Sequence, residues 1–268
     1  MDPVAAYNIA RWKALAAANA LWTRPRLDLD VETARDFIDP EGQFGDLSQR
    51  SVLCLAGGGG QQSVAFALLG AQVTVVDLSQ EQLERDRIAA KHYGVSLTLV
   101  PADMRDLSDL PGGSFDLVYQ PHSLGFVPDC HDVFRQAARV LKPGGQYYFN
   151  CANPFLCGVT GEDWNGSGYT LGRVYTQGEA IVHLDPEWVY DRRLHSGEPI
   201  PGTRDFRQTL SHLFNGLVSF GFIVERLSEN KDITADAAAE PGSWNHLVAY
   251  APPWLAFWSR YRPDQHGG

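Results

Sequence analysis

Four consecutive glycines, Gly57 to Gly60, constrain the fold of this chain more than any other feature. The apolar run Val52 to Leu55 leads into them, and a helical run from Ser63 to Leu69 follows. A second apolar run, Val73 to Val76, then ends on Asp77. The order strand, glycine turn, helix, strand and carboxylate is typical of the opening half of a nucleotide-binding α/β domain.

The chemistry of this stretch suits a nucleotide. Glycines allow positive φ and let the backbone approach a ligand without a Cβ in the way. The following helix presents unpaired N–H groups and a positive dipole end above the turn. Asp77, at the carboxyl end of the second strand, can accept two hydrogen bonds from a ribose diol.

Strands and helices continue to alternate after Asp77. A capping pattern at Ser79 to Gln82 opens a helix that ends at Gly94. Further along, the pattern predicts strands at Val95–Val100, Phe115–Tyr119 and Gln146–Phe149, and a helix at Asp129–Leu141. This alternation predicts a doubly wound α/β fold, in which a mostly parallel sheet carries helices on both faces.

The pattern changes between Cys151 and Arg204, where glycine, proline and aromatic residues dominate. This stretch is too long for a bare connection, so we interpret it as an insertion that covers the ligand cleft. Short strands are expected at Arg173–Thr176 and Ala180–Leu184. The remaining elements are a helix at Asp205–Phe220 and strands at Phe222–Leu227 and His246–Tyr250.

Four units follow from these patterns. Residues 4–22 and Thr33–Ile38 have helical character, so residues 1–44 form an N-terminal helical cap. Residues 45–150 form the Rossmann-like core and residues 151–205 the inserted lid. Residues 206–268 supply the C-terminal helix and strands that complete the core sheet.

Charge and cysteine content exclude several kinds of partner. The net charge is -10 with only four lysines, which disfavours nucleic acid. No apolar run approaches the roughly 20 residues that span a bilayer, so we expect no membrane association. The four cysteines lack the spacing of a zinc site. We therefore expect reduced thiols, a cytoplasmic location and no bound metal.

Five motifs in order carry a resemblance to a known family. VLCLAGGGG, VVDLS, ADMRDL, FDLVYQPHSL and RVLKPGGQYYF are similar to the successive strand-end motifs of the class I S-adenosylmethionine-dependent methyltransferases. The resemblance covers about residues 45 to 255, with SFGFIVERL and HLVAY matching the closing antiparallel pair.

The resemblance implies a seven-stranded sheet whose last strand alone is antiparallel, with S-adenosyl-L-methionine across the strand ends. The cofactor contacts it implies are Ala56, Gly58 and Gly60 at the amino-acid end, Asp77 on the ribose, Leu78 and Met104 at the adenine, Asp103 on the adenine amino group, and Gln120, with the Pro121–His122 backbone, beside the reacting methyl.

Two residues depart from the family pattern. The family usually has an acid where Cys54 stands and a glycine where Ala56 stands. The acid commonly orients the glycine loop or meets the amino group of the cofactor, so the loss of that contact favours an altered cofactor affinity. Gly57 and Gly59 are additional glycines that loosen the loop.

Methyl transfer from a sulfonium needs mainly alignment and proximity, because the leaving group is already good. A hydroxyl or ammonium acceptor also needs a base, for which His122 is the first candidate, followed by His183 and His212. The aromatic residues that could form acceptor walls or a lid are Tyr7, Trp12, Trp164, Tyr169 and Trp188, with Arg11 beside the first two.

Two alternatives remain open at this point. A nicotinamide-dependent oxidoreductase shares the glycine turn and the acid, although no Tyr-x-x-x-Lys occurs and Ser63 replaces the third glycine. A non-catalytic member that binds S-adenosylmethionine would suit the changes at Cys54 and Ala56. The sequence favours a small-molecule acceptor, but it leaves open the atom methylated and the number of subunits, a homodimer included.

Overall fold

The computed structural model describes residues 2–183, 189, 200–230 and 234–263. The helices, in chain order, are α1 (Pro3–Ala17), α2 (Val31–Ile38), α3 (Gln62–Leu68), α4 (Gln80–Tyr93), α5 (Cys130–Val140), α6 (Leu210–Ser219) and α7 (Trp244–Tyr250). The strands are β1 (Ser51–Leu55), β2 (Gln72–Asp77), β3 (Leu97–Pro101), β4 (Phe115–Gln120), β5 (Leu141–Ala152), β6 (Ala180–His183), β7 (Thr203–Phe206), β8 (Phe222–Asn230) and β9 (Trp254–Tyr261).

Seven strands form one sheet in the order β3-β2-β1-β4-β5-β9-β8. The pairs from β3 to β5 are parallel, whereas β9 runs antiparallel to both of its neighbours. The expected sheet with only its last strand antiparallel is therefore confirmed. Strand order reverses between β1 and β4, which creates a crevice at their carboxyl ends.

Both faces of the sheet are buried. Along β1, Leu53 and Leu55 belong to a core shared with α5 and α6, whereas Val52 and Cys54 belong to a second core on the opposite face with α2, α3 and α4. Successive strand residues point to opposite faces, so burial of all four requires helices on both sides. This confirms the doubly wound arrangement.

The boundaries of α4 are set by local chemistry. The Ser79 hydroxyl accepts a hydrogen bond from the Gln82 N–H at 3.2 Å, which satisfies one free donor of the first turn. Gly94 ends the helix in the left-handed conformation, with φ of 65°. The sequence-based capping and stop signals are confirmed here.

The closing strand was wrongly placed by the sequence. His246–Tyr250 lies in α7, where the Ser243 hydroxyl caps the helix by accepting from the His246 N–H at 3.3 Å. The strand is instead the next apolar run, β9, which pairs with β5 and β8. A five-residue apolar run is too short for its periodicity to distinguish a helix from a strand, and the residue that caps the helix, Ser243, lies outside the run.

Smaller differences lie in the segment after β5. The strand expected at Ala180–Leu184 is present as β6, but Arg173–Thr176 is not a strand. The helix expected from Asp205 begins at Leu210 as α6, because residues 203–206 form β7 and pair with β6. Near the N-terminus, α1 ends at Ala17 rather than continuing to residue 22.

None of the helices in the described ranges is long and apolar enough to cross a bilayer.

Candidate active site

The carboxyl ends of β1 and β4 both continue into strained backbone. Ala56, directly after β1, has φ of 47°, and His122, two residues after β4, has φ of 44°. The two strands are neighbours, with Cys54 opposite Tyr119. Left-handed conformations disfavour side chains with a Cβ and cluster at functional sites. The strain at Ala56 gives a physical reason for the glycine that the family usually has there.

The glycine loop packs directly on β2 and α4. A Cβ at Gly58 would lie 2.8 Å from Asp77 Oδ2 and 2.8 Å from the Gln82 Cβ. A Cβ at Gly60, whose φ is 70°, would lie 2.5 Å from the Arg85 carbonyl oxygen. Side chains at these two positions would therefore push the loop away from its supports.

Asp77 joins the loop to the end of β2. One carboxylate oxygen accepts from the Gly58 N–H at 3.0 Å, and the other accepts from the Ser79 N–H at 2.9 Å. Removal from water raises the pKa of Asp77 to about 6, even though these two hydrogen bonds act to lower it. The carboxylate is therefore mostly ionised at neutral pH and keeps lone pairs for a hydroxyl donor. Leu78, the next residue, is half-buried.

Asp103, after β3, is engaged in an ion pair. Arg105 Nε lies 3.0 and 3.1 Å from the two oxygens of Asp103, and Arg105 Nη2 lies 2.6 Å from Asp2 Oδ2. This arrangement ties the exit of β3 to the beginning of α1, where Asp2 is the helix cap. Sequence reasoning missed Arg105, although the residue stands inside the ADMRDL motif.

Met104 and Gln120 lie beneath these loops. Gln120 is fully buried, its Nε2 lies 3.3 Å from Met104 Sδ, and its Oε1 accepts from the Tyr147 hydroxyl. The Gln120 side chain is thus committed to the core. Only its backbone remains suited to bordering a ligand.

His122 is held by Asn150 of β5. The His122 N–H donates to Asn150 Oδ1 at 2.7 Å, which fixes the amide orientation, so Asn150 Nδ2 donates to His122 Nε2 at 2.8 Å. His122 is exposed by its accessible surface, yet the protein atoms packed near its ring disfavour the charged form and lower its pKa to about 4. His122 is therefore neutral at pH 7, with Nε2 already used as an acceptor. These contacts argue against proton abstraction by Nε2.

The other two candidate histidines have partners of their own. His183 Nε2 lies 3.8 Å from Asp205 Oδ2. His212 Nε2 lies 2.8 Å from Asp129 Oδ1, and its ring stacks on His131 with centroids 3.7 Å apart. Asp129, Cys130, His131 and His212 bring their potential ligand atoms within 4.8 Å of one another. The hydrogen bond and the ring stacking within this group connect the beginning of α5 to the beginning of α6.

The candidate aromatic residues divide into two groups. Tyr7 and Trp12 of α1 pack against the segments that follow β4 and precede β7: the Tyr7 hydroxyl donates to the Gly202 carbonyl at 2.7 Å, and the Trp12 ring lies 6.0 Å from Phe126. Trp164 and Tyr169 instead pack on His246 of α7. Trp188 lies outside the described residues.

A cavity of 680 Å³ lies beyond the end of β5. Phe155 and Tyr175 stack in parallel along its lining, with ring centroids 4.9 Å apart. Arg207, which is 3% exposed, contributes another part of the lining and lies 3.1 Å from Glu179. The cavity is therefore lined by both aromatic and charged groups.

Comparisons with known proteins identify the family. A family model described as a methyltransferase domain matches residues 53–149. An uncharacterized methyltransferase, YbaJ, of Bacillus subtilis is 29% identical over 245 residues, covering 86% of this chain and 92% of that protein. A ubiquinone biosynthesis O-methyltransferase of Xanthomonas oryzae is 35% identical over 123 residues, covering 44% of this chain. The match spans about half of that relative, 52% of its length.

Solved structures share the fold. An S-adenosylmethionine-dependent methyltransferase from Mesorhizobium loti superposes with a TM-score of 0.58 at 24% identity, covering 88% of this chain and 100% of that one. Geranyl diphosphate C-methyltransferase from Streptomyces coelicolor, in complex with S-adenosyl-L-homocysteine, gives 0.53 at 15% identity, covering 86% and 77%.

The fold and the glycine loop at the carboxyl ends of its strands thus define a Rossmann-like enzyme that binds a nucleoside cofactor. Residues 53–149 form a methyltransferase domain, and the chain is similar over most of its length to S-adenosylmethionine-dependent methyltransferases. The similarities decide against the nicotinamide-dependent alternative.

Sequence reasoning missed Gln82 and Asp86 of α4, which face the glycine loop. One signal was present: Asp86 shares the buried face of α4 with Leu83 and Ala90, and an acid on such a face requires a partner.

Proposed function

We propose that this enzyme transfers a methyl group from S-adenosylmethionine to a small-molecule acceptor. The observation that carries the proposal is the contact between the glycine loop and Asp77, which places glycine backbone and a carboxylate side by side next to the strand-order reversal. The residues present fit this cofactor, because the absence of a Cβ at Gly58 lets the loop backbone pack directly against the Asp77 carboxylate, which can accept from ribose hydroxyls.

The cofactor contacts follow the strand ends in this proposal. Asp77 binds the ribose hydroxyls, and Ala56, Gly58 and Gly60 hold the amino-acid end. Leu78, Asp103 and Met104 surround the adenine, while Gln120 borders the methyl through its backbone. When bound, the cofactor supplies the methyl group and the good leaving group.

His122 stays in the proposal as the residue beside the reacting centre. Because Asn150 donates to Nε2, the proton of the neutral ring resides on Nδ1, which can donate a hydrogen bond to an acceptor. We therefore assign His122 an orienting role rather than that of a base. Alignment of acceptor and methyl is the main contribution that such a site makes.

A small acceptor is supported by the cover over the strand ends. Arg11 Nη1 of α1 donates to the Pro201 carbonyl at 2.5 Å, and Asn8 Nδ2 donates to the Phe126 carbonyl at 3.1 Å. These contacts join α1 to the segments that precede β7 and follow β4, which supports residues 1–44 as a cap and 151–205 as a lid; the division into a cofactor core at 45–150 and its completion at 206–268 is part of the proposal. The net charge of -10 disfavours nucleic acid. The ubiquinone biosynthesis relatives are named for a small-molecule pathway.

The four cysteines are free thiols buried in the fold, which supports a cytoplasmic location. We leave the number of subunits, a homodimer included, outside the proposal.

The test is formation of S-adenosylhomocysteine from S-adenosylmethionine with a panel of phenols, amines and small carbon acids. We expect turnover with at least one acceptor class, with Asp77→Ala as the matched loss-of-binding control. Cofactor binding without turnover across the panel would favour the non-catalytic alternative. Failure to bind either form of the cofactor would reject the proposal.

A further inference from the structure

Asp86 of α4 is a fully buried acid behind the glycine loop. One carboxylate oxygen accepts from the Gly59 N–H at 2.9 Å, and the other accepts from the Ser63 hydroxyl at the beginning of α3. Both donors are neutral, so the burial of this charge is offset only by hydrogen bonding to the loop and the helix that follows it.

Gln82 holds the same loop one helical turn earlier. Its side-chain Nε2 donates to the Gly58 carbonyl at 3.2 Å, and its backbone carbonyl accepts from the Gly59 N–H at 3.2 Å. Residues four apart lie on one helical face, so Gln82 and Asp86 form a single support. Gln82 Oε1 is buried and has no hydrogen-bond partner among the described residues.

The support matters because of the loop's composition. Glycine loses more conformational freedom on ordering than any other residue, and this loop contains four in succession. Anchors already made in the free protein remove that ordering penalty from ligand binding. The neighbouring strand residue, Cys54, has no carboxylate, so the acid that contacts the loop in addition to Asp77 of β2 comes from a helix.

We propose that Asp86 and Gln82 are positioning residues that hold Gly58 to Gly60 in the shape that binds S-adenosylmethionine. The inference rests on the proposed function, because it assumes that this loop receives the cofactor. Neither residue needs to contact the cofactor, since both act through the loop backbone.

A pH dependence follows from the surroundings of Asp86. Asp77 of β2 and Cys54 of β1 are the titratable groups that face it, and Ser63 of α3 is its neutral partner. The pKa of Asp86 is raised to about 7, mainly by burial and to a smaller extent by the negative charge of the nearby Asp77. Protonation below that pH removes the ionised acceptor, so cofactor affinity should fall as the pH falls from 8 to 6.

Calorimetry with S-adenosylhomocysteine tests the proposal. At pH 8 we expect Asp86→Ala to weaken binding by about tenfold, the scale of a lost hydrogen bond to a charged group. Asp86→Asn keeps an acceptor for Gly59 and should remain within about threefold of wild type. Glu84→Gln, which changes an exposed charge on the same helix, should leave the affinity unchanged.

The pH series separates positioning from a purely structural role. Between pH 8 and 6, wild type should lose affinity while Asp86→Asn loses clearly less, because the asparagine does not titrate and only Asp77, with its pKa of about 6, still loses charge in this range. If Asp86→Ala does not fold, Asp86→Asn and Gln82→Ala carry the test, and Gln82→Ala should weaken binding.

Two results would overturn the inference. If wild type binds and either alanine variant binds equally well, α4 does not position the loop. If Asp86→Asn repeats the full pH dependence of wild type, Asp86 is not the group that titrates. Absence of binding by wild type itself would instead reject the proposed cofactor site, and this inference with it.

Discussion

The loop after β1 and the segment after β5 are ordered in different ways. Most hydrogen bonds to the loop come from α4 and from the end of β2, with Gly58 and Asp77 only 19 positions apart in sequence, and one more runs from the Arg26 N–H to the Gly60 carbonyl at 2.9 Å. The later segment is held by distant parts of the chain, as between Tyr7 and Gly202, which are 195 positions apart. The loop is therefore part of one βαβα unit, whereas the segment depends on the assembled fold.

Under the proposed function, in which the loop binds the cofactor and the later segment covers the acceptor, this difference separates the two kinds of binding. The loop can keep its shape through neighbouring elements, which suits a ligand that every turnover requires. Arg207 illustrates the opposite case, since its side chain joins Glu179 and the Pro154 carbonyl, which belong to two separate stretches. Substitutions in the two regions should therefore have separable effects.

The largest effect is expected at Asp77. Asp77→Ala should weaken S-adenosylhomocysteine binding by about 1.5–3 kcal/mol, because a charged hydrogen-bond acceptor is lost and the Gly58 N–H is released. Calorimetry at pH 8 measures this change while the wild-type carboxylate, with its pKa of about 6, is ionised. Asp106→Ala, an exposed acid on the loop after β3, is the control. Unchanged affinity would mean that the ribose lies elsewhere.

Arg207→Ala should affect stability but not cofactor affinity. We expect the free energy of unfolding to fall by about 2 kcal/mol, below the range for a fully buried pair, because Glu179 is 26% exposed. Cofactor affinity should stay within about twofold if the two regions are independent. Arg173→Ala is the matched control, since its half-exposed side chain meets the same Glu179 at 3.6 Å. A loss of cofactor affinity in Arg207→Ala would contradict the comparison.

Asp103→Ala should have a smaller effect on binding than Asp77→Ala. We expect about 1 kcal/mol, since Arg105 already shares the carboxylate that the adenine amino group would use. The same calorimetric experiment applies, again with Asp106→Ala as the control. A loss as large as that of Asp77→Ala would show that the ion pair opens fully for the cofactor.

His122 should give the smallest effect at neutral pH. Its ring should titrate near pH 4 in an NMR titration, so the pH profile of activity between pH 6 and 8 should show no inflection caused by this residue. Because the pKa of His122 is lower in the folded state, the unfolded state binds more protons between pH 6.5 and pH 4. The stability that this group contributes is therefore lost as the pH falls through that window. His122→Gln should remove that dependence. A midpoint near 6.5 would restore His122 as a candidate base.

Sequence reasoning succeeded where signals are local. The glycine turn, the Ser79 cap and the Gly94 stop each depend on a few adjacent residues, and all three are confirmed. It failed at His246–Tyr250, because the choice between α7 and a strand depends on a cap outside the run and on which apolar run pairs with β5 and β8. Asp103 was predicted as a free acceptor, whereas the structure pairs it with Arg105 two residues later, and only the fold brings Asp2 to that arginine.

The amino-acid order by itself determined the alternation of strands and helices, the glycine turn and the acid at the end of β2. These features follow from side-chain periodicity and from the freedom of glycine at positive φ. Tertiary structure alone decided that Asp86 and Gln82 face the loop, that Asn150 occupies His122 Nε2, and that β9 closes the sheet. These are contacts between residues far apart in the chain, and they exist only once the packed helices and strands bring them together.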